Sequence, residues 1–229
     1  MKAKENTPEL TKTEKLAGSV EKFFSKNGKV LAIVAAVVLI VVIAIGIIVT
    51  VNSNKSEKEF TAIAKLDSQY SALINMDNTS DEYKTAADTF VSDADALISS
   101  SKGYPGIKAN YLKGLYSFDM KNYSDAASIF EEVSVSANNT YLGALALING
   151  AASYENAGNQ DKALELYNKV WDSYGKNAAE SQKALFNVAR IYEEKGDSEL
   201  AKATYQQLVD EFGTTGEYGK LAASRIIVL

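Results

Sequence analysis

The side chains of this chain that could do chemistry are mainly carboxylates, because the sequence holds no histidine and no cysteine. The chain therefore lacks a thiol nucleophile, a thiolate zinc site and the usual base that activates a serine. Three aspartates, Asp88, Asp93 and Asp95, lie close together in the sequence. Carboxylates of this kind can support hydrolysis, or bind Mg²⁺ or Ca²⁺ through oxygen ligands.

The spacing of these aspartates favours a solvated helix surface over a metal site. Residues two apart on a helix do not face the same way, so Asp93 and Asp95 should point to different sides. The sequence also has no glycine-rich loop of the kind that holds a phosphate. We therefore predict that the protein is not an enzyme and that it has no catalytic residue, no cofactor and no metal site.

Charge divides the chain into two parts. Residues 1–29 hold seven lysines and four glutamates, a local net charge of +3. Because the whole chain carries −5, the remaining residues carry −8. Contacts to phosphates need concentrated lysine and arginine, so this acidic body argues against nucleic acid as a partner.

The apolar run at residues 30–51 has 22 residues, none of them charged and only Thr50 polar. At about 1.5 Å per residue such a helix is about 33 Å long, enough to cross a hydrocarbon core of roughly 30 Å. The apolar part of a cleavable signal peptide is only about 7–15 residues long and precedes small residues at a cleavage site. The following sequence TVNSNKSEKE offers no such site. The run is therefore predicted to be a retained transmembrane helix.

The lysines before this run predict its orientation. Positive charge accumulates on the cytoplasmic side of a membrane helix, so residues 1–29 are predicted to form a cytoplasmic basic tail. The body then lies outside the inner membrane, in the periplasm of a bacterium with two membranes. Next to the run, phenylalanines at the headgroup boundary and lysines facing anionic lipid should contact the membrane surface. These side chains are Lys22, Phe23, Phe24, Lys26 and Lys29.

The segment 52–104 is predicted to be a helical lead-in of two helices, with a degenerate repeat as an open interpretation. Thr79 and Glu82 have the spacing of a capping box and predict the start of the second helix. Apolar residues at helical spacing predict the buried stripe of each helix. The stripes are Phe60, Ile63, Ala64, Tyr70, Leu73 and Ile74, then Tyr83, Ala87, Phe90, Ala94, Leu97 and Ile98.

Three later segments, 111–133, 148–170 and 186–208, repeat one pattern of residue types. In each, a small residue precedes an alanine by twelve positions, and an aromatic residue follows that alanine by four. The three sets are Gly114, Ala126 and Phe130; Ala151, Ala163 and Tyr167; and Ala189, Ala201 and Tyr205. Small residues let two helices of a hairpin approach closely, and the aromatic ring fills the wedge between hairpins. This spacing is typical of tetratricopeptide repeats.

The predicted fold is therefore all-α, with an N-terminal transmembrane helix followed by a tetratricopeptide-repeat α-solenoid. Three repeats are predicted at 105–209, followed by a C-terminal capping helix at 210–229, because a solenoid must cover its ends. The turns of repeats two and three hold Gly158 and Gly196. Repeat one departs from this pattern, with Lys121 at the turn and Ser117 where the others have tyrosine.

The concave surface of such an array usually binds the partner. The side chains predicted to lie there, which we call the predicted inner face, are Tyr111, Leu115, Phe118, Leu145, Ile148, Phe186 and Arg190. Their mostly apolar character predicts a groove for an apolar or amphipathic protein segment. The alternative is that these side chains pack on neighbouring hairpins or on the helix of residues 55–76.

The chain as a whole resembles a known family. The segment VEKFFSKNGKVLA, the apolar run, the repeats and the end SRIIVL are similar to the YfgM-like ancillary subunit of the Sec translocon, a single-pass inner-membrane protein. This resemblance implies partners in the translocon, in periplasmic chaperones and in exported chains, and it brings no catalytic residues. A scaffold for envelope or division machinery is the alternative function. Pairing of two copies stays open.

Overall fold

The computed structural model describes residues 12–229, without the side chains at 12, 14–17, 19, 20, 22, 24, 25, 31–33, 35 and 36. Residues 1–11 of the predicted cytoplasmic tail therefore lie outside the described residues. The chain divides into two compact units, residues 1–57 and 58–229. Across residues 12–229 every regular element is a helix, which confirms the all-α prediction.

The first unit is formed by the longest helix, α1 (Lys12–Leu73), up to Glu57. Within the described residues, its stretch Val37–Leu73 is long and apolar enough to cross a membrane, with a mean hydropathy of 2.5 over its most apolar window. The large apolar side chains described between residues 30 and 51 are each 50–65 % exposed. Such exposure is expected for a helix whose apolar surface faces lipid.

The segment before the apolar run is also helical. Asn27 and Gly28 could have ended a short surface helix, but α1 continues through both residues. The side-chain amide of Asn27 donates to the backbone oxygen of Phe23 at 3.1 Å, one turn earlier. This bond lies parallel to the helix axis and does not interrupt the backbone ladder.

The second unit contains the end of α1 and eight further α-helices. They are α2 (Asp81–Ser100), α3 (Tyr104–Asp119), α4 (Tyr123–Ser136), α5 (Tyr141–Asn156), α6 (Gln160–Tyr174), α7 (Glu180–Glu194), α8 (Ser198–Phe212) and α9 (Glu217–Val228). A 3-10 turn at Gly175–Asn177 joins α6 to α7. Short connections between successive helices favour antiparallel hairpins.

The end of α1 packs with α2 and α3 around a common core. The side chains that α1 buries are Ile63, Leu66 and Leu73. The stripe predicted from the sequence was partly wrong, because Phe60 and Ile74 are 52 % and 58 % exposed. The buried face is turned toward Leu66, since α1 contacts two helices that meet it from the same side.

The second helix of the lead-in has the buried face predicted for it. Tyr83, Ala87, Phe90, Ala94 and Leu97 are all buried. Its cap is shifted by one residue from the predicted Thr79. The Ser80 hydroxyl accepts from the backbone nitrogen of Tyr83 at 3.0 Å, while Thr79 bonds to Asp77. Both residues can cap a helix, and the turn at Asp77 decides between them.

Three hairpins follow, α3–α4, α5–α6 and α7–α8, and we call them repeats one, two and three. All the small residues, alanines and aromatic residues of the repeated pattern are buried in them. At Gly114 an added Cβ would lie 2.8 Å from the Phe130 ring, so this hairpin closes only with glycine there. The sequence pattern thus predicted the close contacts between the two helices of each hairpin.

Each hairpin turns through one residue with a left-handed backbone. Gly158 and Gly196 have φ angles of 81° and 83°, and Lys121 has 61° at the equivalent position. The backbone hydrogen bonds are also equivalent, as in Asn122 to Ser117 at 2.9 Å and Asn159 to Tyr154 at 2.8 Å. Repeat one therefore keeps the turn geometry without glycine, the residue that adopts a left-handed backbone at the lowest cost in free energy.

The end of the array is covered by α9, which packs on α7 and α8. Ala222 is fully buried, and the Tyr218 ring lies 5.6 Å from the Phe186 ring. Trp171 of repeat two contacts Phe212 of repeat three, with ring centres 6.1 Å apart. Trp171 therefore packs between two successive repeats.

Candidate protein-binding face

The seven side chains of the predicted inner face differ in how much of each reaches solvent. Tyr111 and Ile148 are only 7 % and 2 % exposed, so they form part of the core. The other five are half-buried: Leu115, Phe118, Leu145, Phe186 and Arg190. A binding role for the seven residues stays a prediction. Only the five half-buried residues have enough exposed surface to contact a partner directly.

Tyr111 links repeat one to repeat two. Its hydroxyl accepts from the Asn149 side-chain amide at 2.8 Å, and its ring meets Phe130 edge-on at 5.5 Å. The Lys108 ammonium lies 5.4 Å from the centre of the same ring. Burial raises the pKa of the Tyr111 hydroxyl. This side chain therefore helps position α5 against α3.

Repeats two and three each contain a tyrosine that donates to a glutamate twelve residues earlier. The hydroxyl of Tyr167 lies 3.4 Å from Glu155, and that of Tyr205 lies 3.3 Å from Glu193. Burial, followed by the negative charge of Glu155, raises the pKa of Tyr167. In repeat one the two equivalent positions are Phe118 and Phe130, which form no such bond.

Two arginines connect these glutamates to the next hairpin or to α9. Arg190 of α7 contacts Glu155 at 2.8 Å and Glu194 at 2.6 Å. Burial acts to lower the pKa of Arg190, but its hydrogen bonds to these carboxylates outweigh burial and raise it. Arg225 of α9 forms an ion pair with Glu193 in the same way. We call these contacts the arginine–glutamate ladder.

The ladder borders a cavity of about 400 Å³ at the end of the predicted inner face. The lining side chains are aromatic or charged, namely Phe186, Arg190, Glu193, Glu194, Tyr205 and Arg225. This part of the face is therefore more polar than the apolar groove expected from the sequence. Arg190 is already paired with two carboxylates, so it does not offer an unpaired cation to a partner.

Arg225 is the ladder residue that the sequence interpretation missed. It lies in the capping helix, outside the repeated pattern. A signal for the ladder was nevertheless present in the sequence, because glutamate and tyrosine occur together in repeats two and three and are both phenylalanine in repeat one. Such paired changes within one chain indicate side chains that contact each other.

Two of the three aspartates first considered as metal ligands, Asp93 and Asp95, pair with side chains of the helices next to α2. Asp93 accepts from Lys65 at 2.7 Å and from Gln69 at 2.9 Å, both on α1. Asp95 pairs instead with Lys113 of α3 at 2.6 Å. The hydrogen bond from Lys65, supported by that from Gln69, lowers the pKa of Asp93. The two carboxylates face different helices, as their spacing predicted, but they form ion pairs instead of a simple solvated surface.

The residues predicted to contact the membrane surface are described in part. Phe23 is 54 % exposed, and the side chains of Lys26 and Lys29 are exposed as well. The side chains of Lys22 and Phe24 lie outside the described residues. The membrane role of these residues stays a prediction.

Comparison with protein families identifies the class of helical repeat. The model of the tetratricopeptide repeat family matches residues 145–177 and 183–215, which cover most of repeats two and three. No curated protein and no solved structure was found to match the chain. The protein is thus an all-α chain with a long apolar N-terminal helix and tetratricopeptide-like repeats, and these repeats indicate a protein–protein interaction module.

Proposed function

We propose that the protein is a membrane-anchored interaction module that binds proteins through its tetratricopeptide repeats outside the cytoplasm. The observation that carries this proposal is the charge-free run at 30–51, whose described large apolar side chains are uncovered by protein. Exposed apolar surface of this extent is unfavourable in water and favourable in lipid. The repeats that follow supply the surface proposed to bind proteins, and the part of the chain after residue 29 has a net negative charge.

The orientation rests on the seven lysines before the run. They favour a cytoplasmic tail and therefore place the repeats on the outer side of an inner membrane. Because the chain has no cysteine, single cysteines can report this topology. A cysteine at Ser136, which is exposed on α4, should react with a membrane-impermeant maleimide in cells whose outer membrane is permeabilised. A cysteine at Thr13 should react only after lysis, and the reverse pattern would contradict the orientation.

The finer part of the proposal names the partners. The resemblance of VEKFFSKNGKVLA and of the overall architecture to YfgM-like subunits supports a role beside the Sec translocon. In that role the module links the channel to periplasmic chaperones while exported chains fold. No catalytic chemistry is assigned to it, since tetratricopeptide repeats act by binding.

Cross-linking in cells tests this role. A photo-reactive phenylalanine at Phe186, on the predicted inner face, should capture partners, whereas the same group at Leu200 of α8 serves as the matched exposed control. Capture of channel subunits and folding factors at Phe186 alone supports the proposal. Capture of wall-synthesis or division proteins would favour an envelope scaffold, and equal capture at both positions would show that the inner face is not special.

The segment before the membrane is tested separately. If Phe23 and Phe24 dock the translocase, changing both to alanine should abolish co-purification of the channel and leave membrane insertion intact. Alanine at Val34 and Val37 removes apolar side-chain atoms further along α1 and provides the control. If co-purification is unchanged when both phenylalanines are replaced by alanine, these residues do not dock the translocase and contact only the membrane.

A further inference from the structure

A second cavity, of about 410 Å³, lies between the end of α1, the start of α2 and the end of α3. We call it the tyrosine cavity. Its lining combines three tyrosines, one carboxylate and several aliphatic or thioether side chains: Tyr70, Leu73, Ile74, Met76, Asn78, Tyr83, Tyr116, Asp119 and Met120. Its volume is within the usual range of small ligand pockets, roughly 300–1,000 Å³.

The aromatic rings of the tyrosine cavity are fixed by a fully buried phenylalanine. The ring of Phe90, which is 0 % exposed, lies 6.1 Å from the Tyr70 ring and 5.5 Å from the Tyr116 ring. The Tyr83 hydroxyl donates to the Met120 sulfur at 2.9 Å. The cavity is therefore preformed, because its aromatic walls are packed against the core of the unit.

Asp119 is the carboxylate of this cavity, and it is exposed at the end of α3. Its Oδ2 accepts from the Tyr70 hydroxyl at 2.7 Å. Across the described residues, no lysine or arginine forms an ion pair with it. Four other aspartates of α1 and α2 are each paired with a lysine: Asp67 with Lys108 (3.4 Å), Asp81 with Lys84 (2.8 Å), Asp93 with Lys65 (2.7 Å) and Asp95 with Lys113 (2.6 Å). Asp119 therefore lines the tyrosine cavity without a lysine or arginine partner among the described residues.

Tyr70 and Tyr83 remain uncharged at ordinary pH, because the pKa of each hydroxyl is raised. Burial, together with the hydrogen bond to Asp119, raises the pKa of Tyr70. Burial also raises the pKa of Tyr83. Asp119 is the one formally charged side chain among those that line the cavity, and three tyrosines line it as well.

We propose that the tyrosine cavity binds a cationic side chain, lysine or arginine, presented by a segment of a partner protein. Cations are attracted both by the faces of aromatic rings and by carboxylates. The aliphatic stem of such a side chain would lie along Ile74, Met76 and Met120 while its charged end reaches Asp119. A neutral or acidic side chain would lack the attraction to the carboxylate. This inference does not depend on the membrane anchor or on the translocon role.

The test uses the full-length protein in detergent micelles, with 3-fluorotyrosine incorporated at position 116. Fluorine NMR follows titration with the tripeptide acetyl-Gly-Lys-Gly-amide and with the same peptide carrying norleucine, which has a similar stem and no charge. We expect a saturating shift with the lysine peptide and binding at least about tenfold weaker with the norleucine peptide. Equal shifts with the two peptides, or no shift with either, would overturn the proposal.

Three variants show whether Asp119 carries the effect. Asp119→Asn keeps the shape of the side chain and should weaken binding of the lysine peptide at least about tenfold. Asp119→Glu keeps the charge and should restore part of the binding. Asp172→Asn removes an exposed carboxylate of α6 and should bind as the parent protein does. Unchanged binding in Asp119→Asn, with the parent circular dichroism spectrum, would remove the basis of the proposal.

Discussion

Repeat one has two phenylalanines, Phe118 and Phe130, at the positions where repeats two and three have a glutamate and a tyrosine. In repeat two, Glu155 and Tyr167 are joined by a hydrogen bond of 3.4 Å, and repeat three has the equivalent bond at 3.3 Å. In repeat one the ring of Phe118 packs edge-on against Tyr123 at 5.2 Å. The same backbone therefore accepts an apolar or a polar pair, provided that both members change together.

The two kinds of repeat also differ in the side-chain contacts that they form with neighbouring helices. The glutamates of repeats two and three are available to Arg190 and Arg225, so the arginine–glutamate ladder begins at α5. Repeat one instead contacts repeat two through Tyr111 and Asn149. The family match covers repeats two and three, where the turn glycines and the tyrosines are present. Departure from the common pattern in repeat one thus changed side-chain chemistry and left the hairpin geometry intact.

The largest expected effect is the loss of the ring that closes repeat one. Phe130→Ala removes a fully buried ring and should lower the free energy of unfolding by about 3–5 kcal/mol. Denaturation of the full-length protein in micelles is followed by circular dichroism and by the fluorescence of Trp171, the single tryptophan, in repeat two. Coincident transitions indicate that repeat one unfolds with its neighbours. A transition that circular dichroism detects at lower denaturant than Trp171 fluorescence does would show that repeat one unfolds independently of its neighbours.

A smaller effect is expected from placing the tyrosine of the other repeats into repeat one. Phe130→Tyr brings a hydroxyl next to Phe118, where it finds no acceptor, and should cost about 1–3 kcal/mol. Adding Phe118→Glu supplies the carboxylate and should recover about 1 kcal/mol or more in a double-mutant cycle. Purely additive costs would contradict the view that these two positions act as a pair. Tyr205→Phe, which removes the hydroxyl from repeat three, is the reverse comparison.

Alkaline pH should weaken repeat two more than repeat one. The pKa of Tyr167 is raised in the folded protein, so its contribution is complete below the unfolded value of about 10 and is lost as pH rises above it. Tyr167→Phe should therefore reduce the loss of stability above about pH 10 by up to about 1.4 kcal/mol per pH unit. Denaturation of both proteins at about pH 8 and about pH 11 measures this difference. Parallel losses in the two proteins would show that Tyr167 does not titrate with unfolding.

The smallest expected effects concern the turns. Gly158→Ala should destabilise repeat two by about 1 kcal/mol, because no atom blocks the added methyl group and the cost is that of a left-handed backbone. Lys121→Gly should stabilise repeat one by about 0.5–1 kcal/mol for the same reason. Both are measured by thermal unfolding in micelles. Lys121→Ala, which keeps the strain and removes the charge, should show no gain of this size.

Residues with a clear local signal were predicted well. The buried small residues, alanines and aromatics of the repeats follow from spacing alone, because the 3.6-residue period decides which side chains share a face. The face of α1 was assigned less well, with Leu66 omitted and Ile74 included, since α2 and α3 contact α1 together. Successive residues are about 100° apart around a helix axis. An error of one position in the predicted stripe therefore changes which residues are predicted to be buried.

The candidate site was harder to predict than the fold. Sequence spacing placed Tyr111 and Ile148 on the predicted inner face, but both are core residues. Tyr111 is buried in a cluster with α4 and α5, and Ile148 in a cluster with α6 and α7. Tyr70 and Asp119 meet across 49 positions of sequence. No local pattern indicates such a pair, because each residue alone is compatible with a solvated helix surface.

The sequence by itself determined the charge-free run at 30–51, the three hairpins and the acidic body, since each depends on the composition or period of one segment. The tertiary structure decided which polar groups meet: Tyr70 with Asp119, Arg190 with Glu155 and Arg225 with Glu193. The apolar face of a helix depends on that helix and its period, whereas which of its residues are buried also depends on the neighbouring helices, as for Leu66 and Ile74 of α1. A hydrogen bond depends on the relative position of two helices, which packing of the whole unit sets to within an ångström or so.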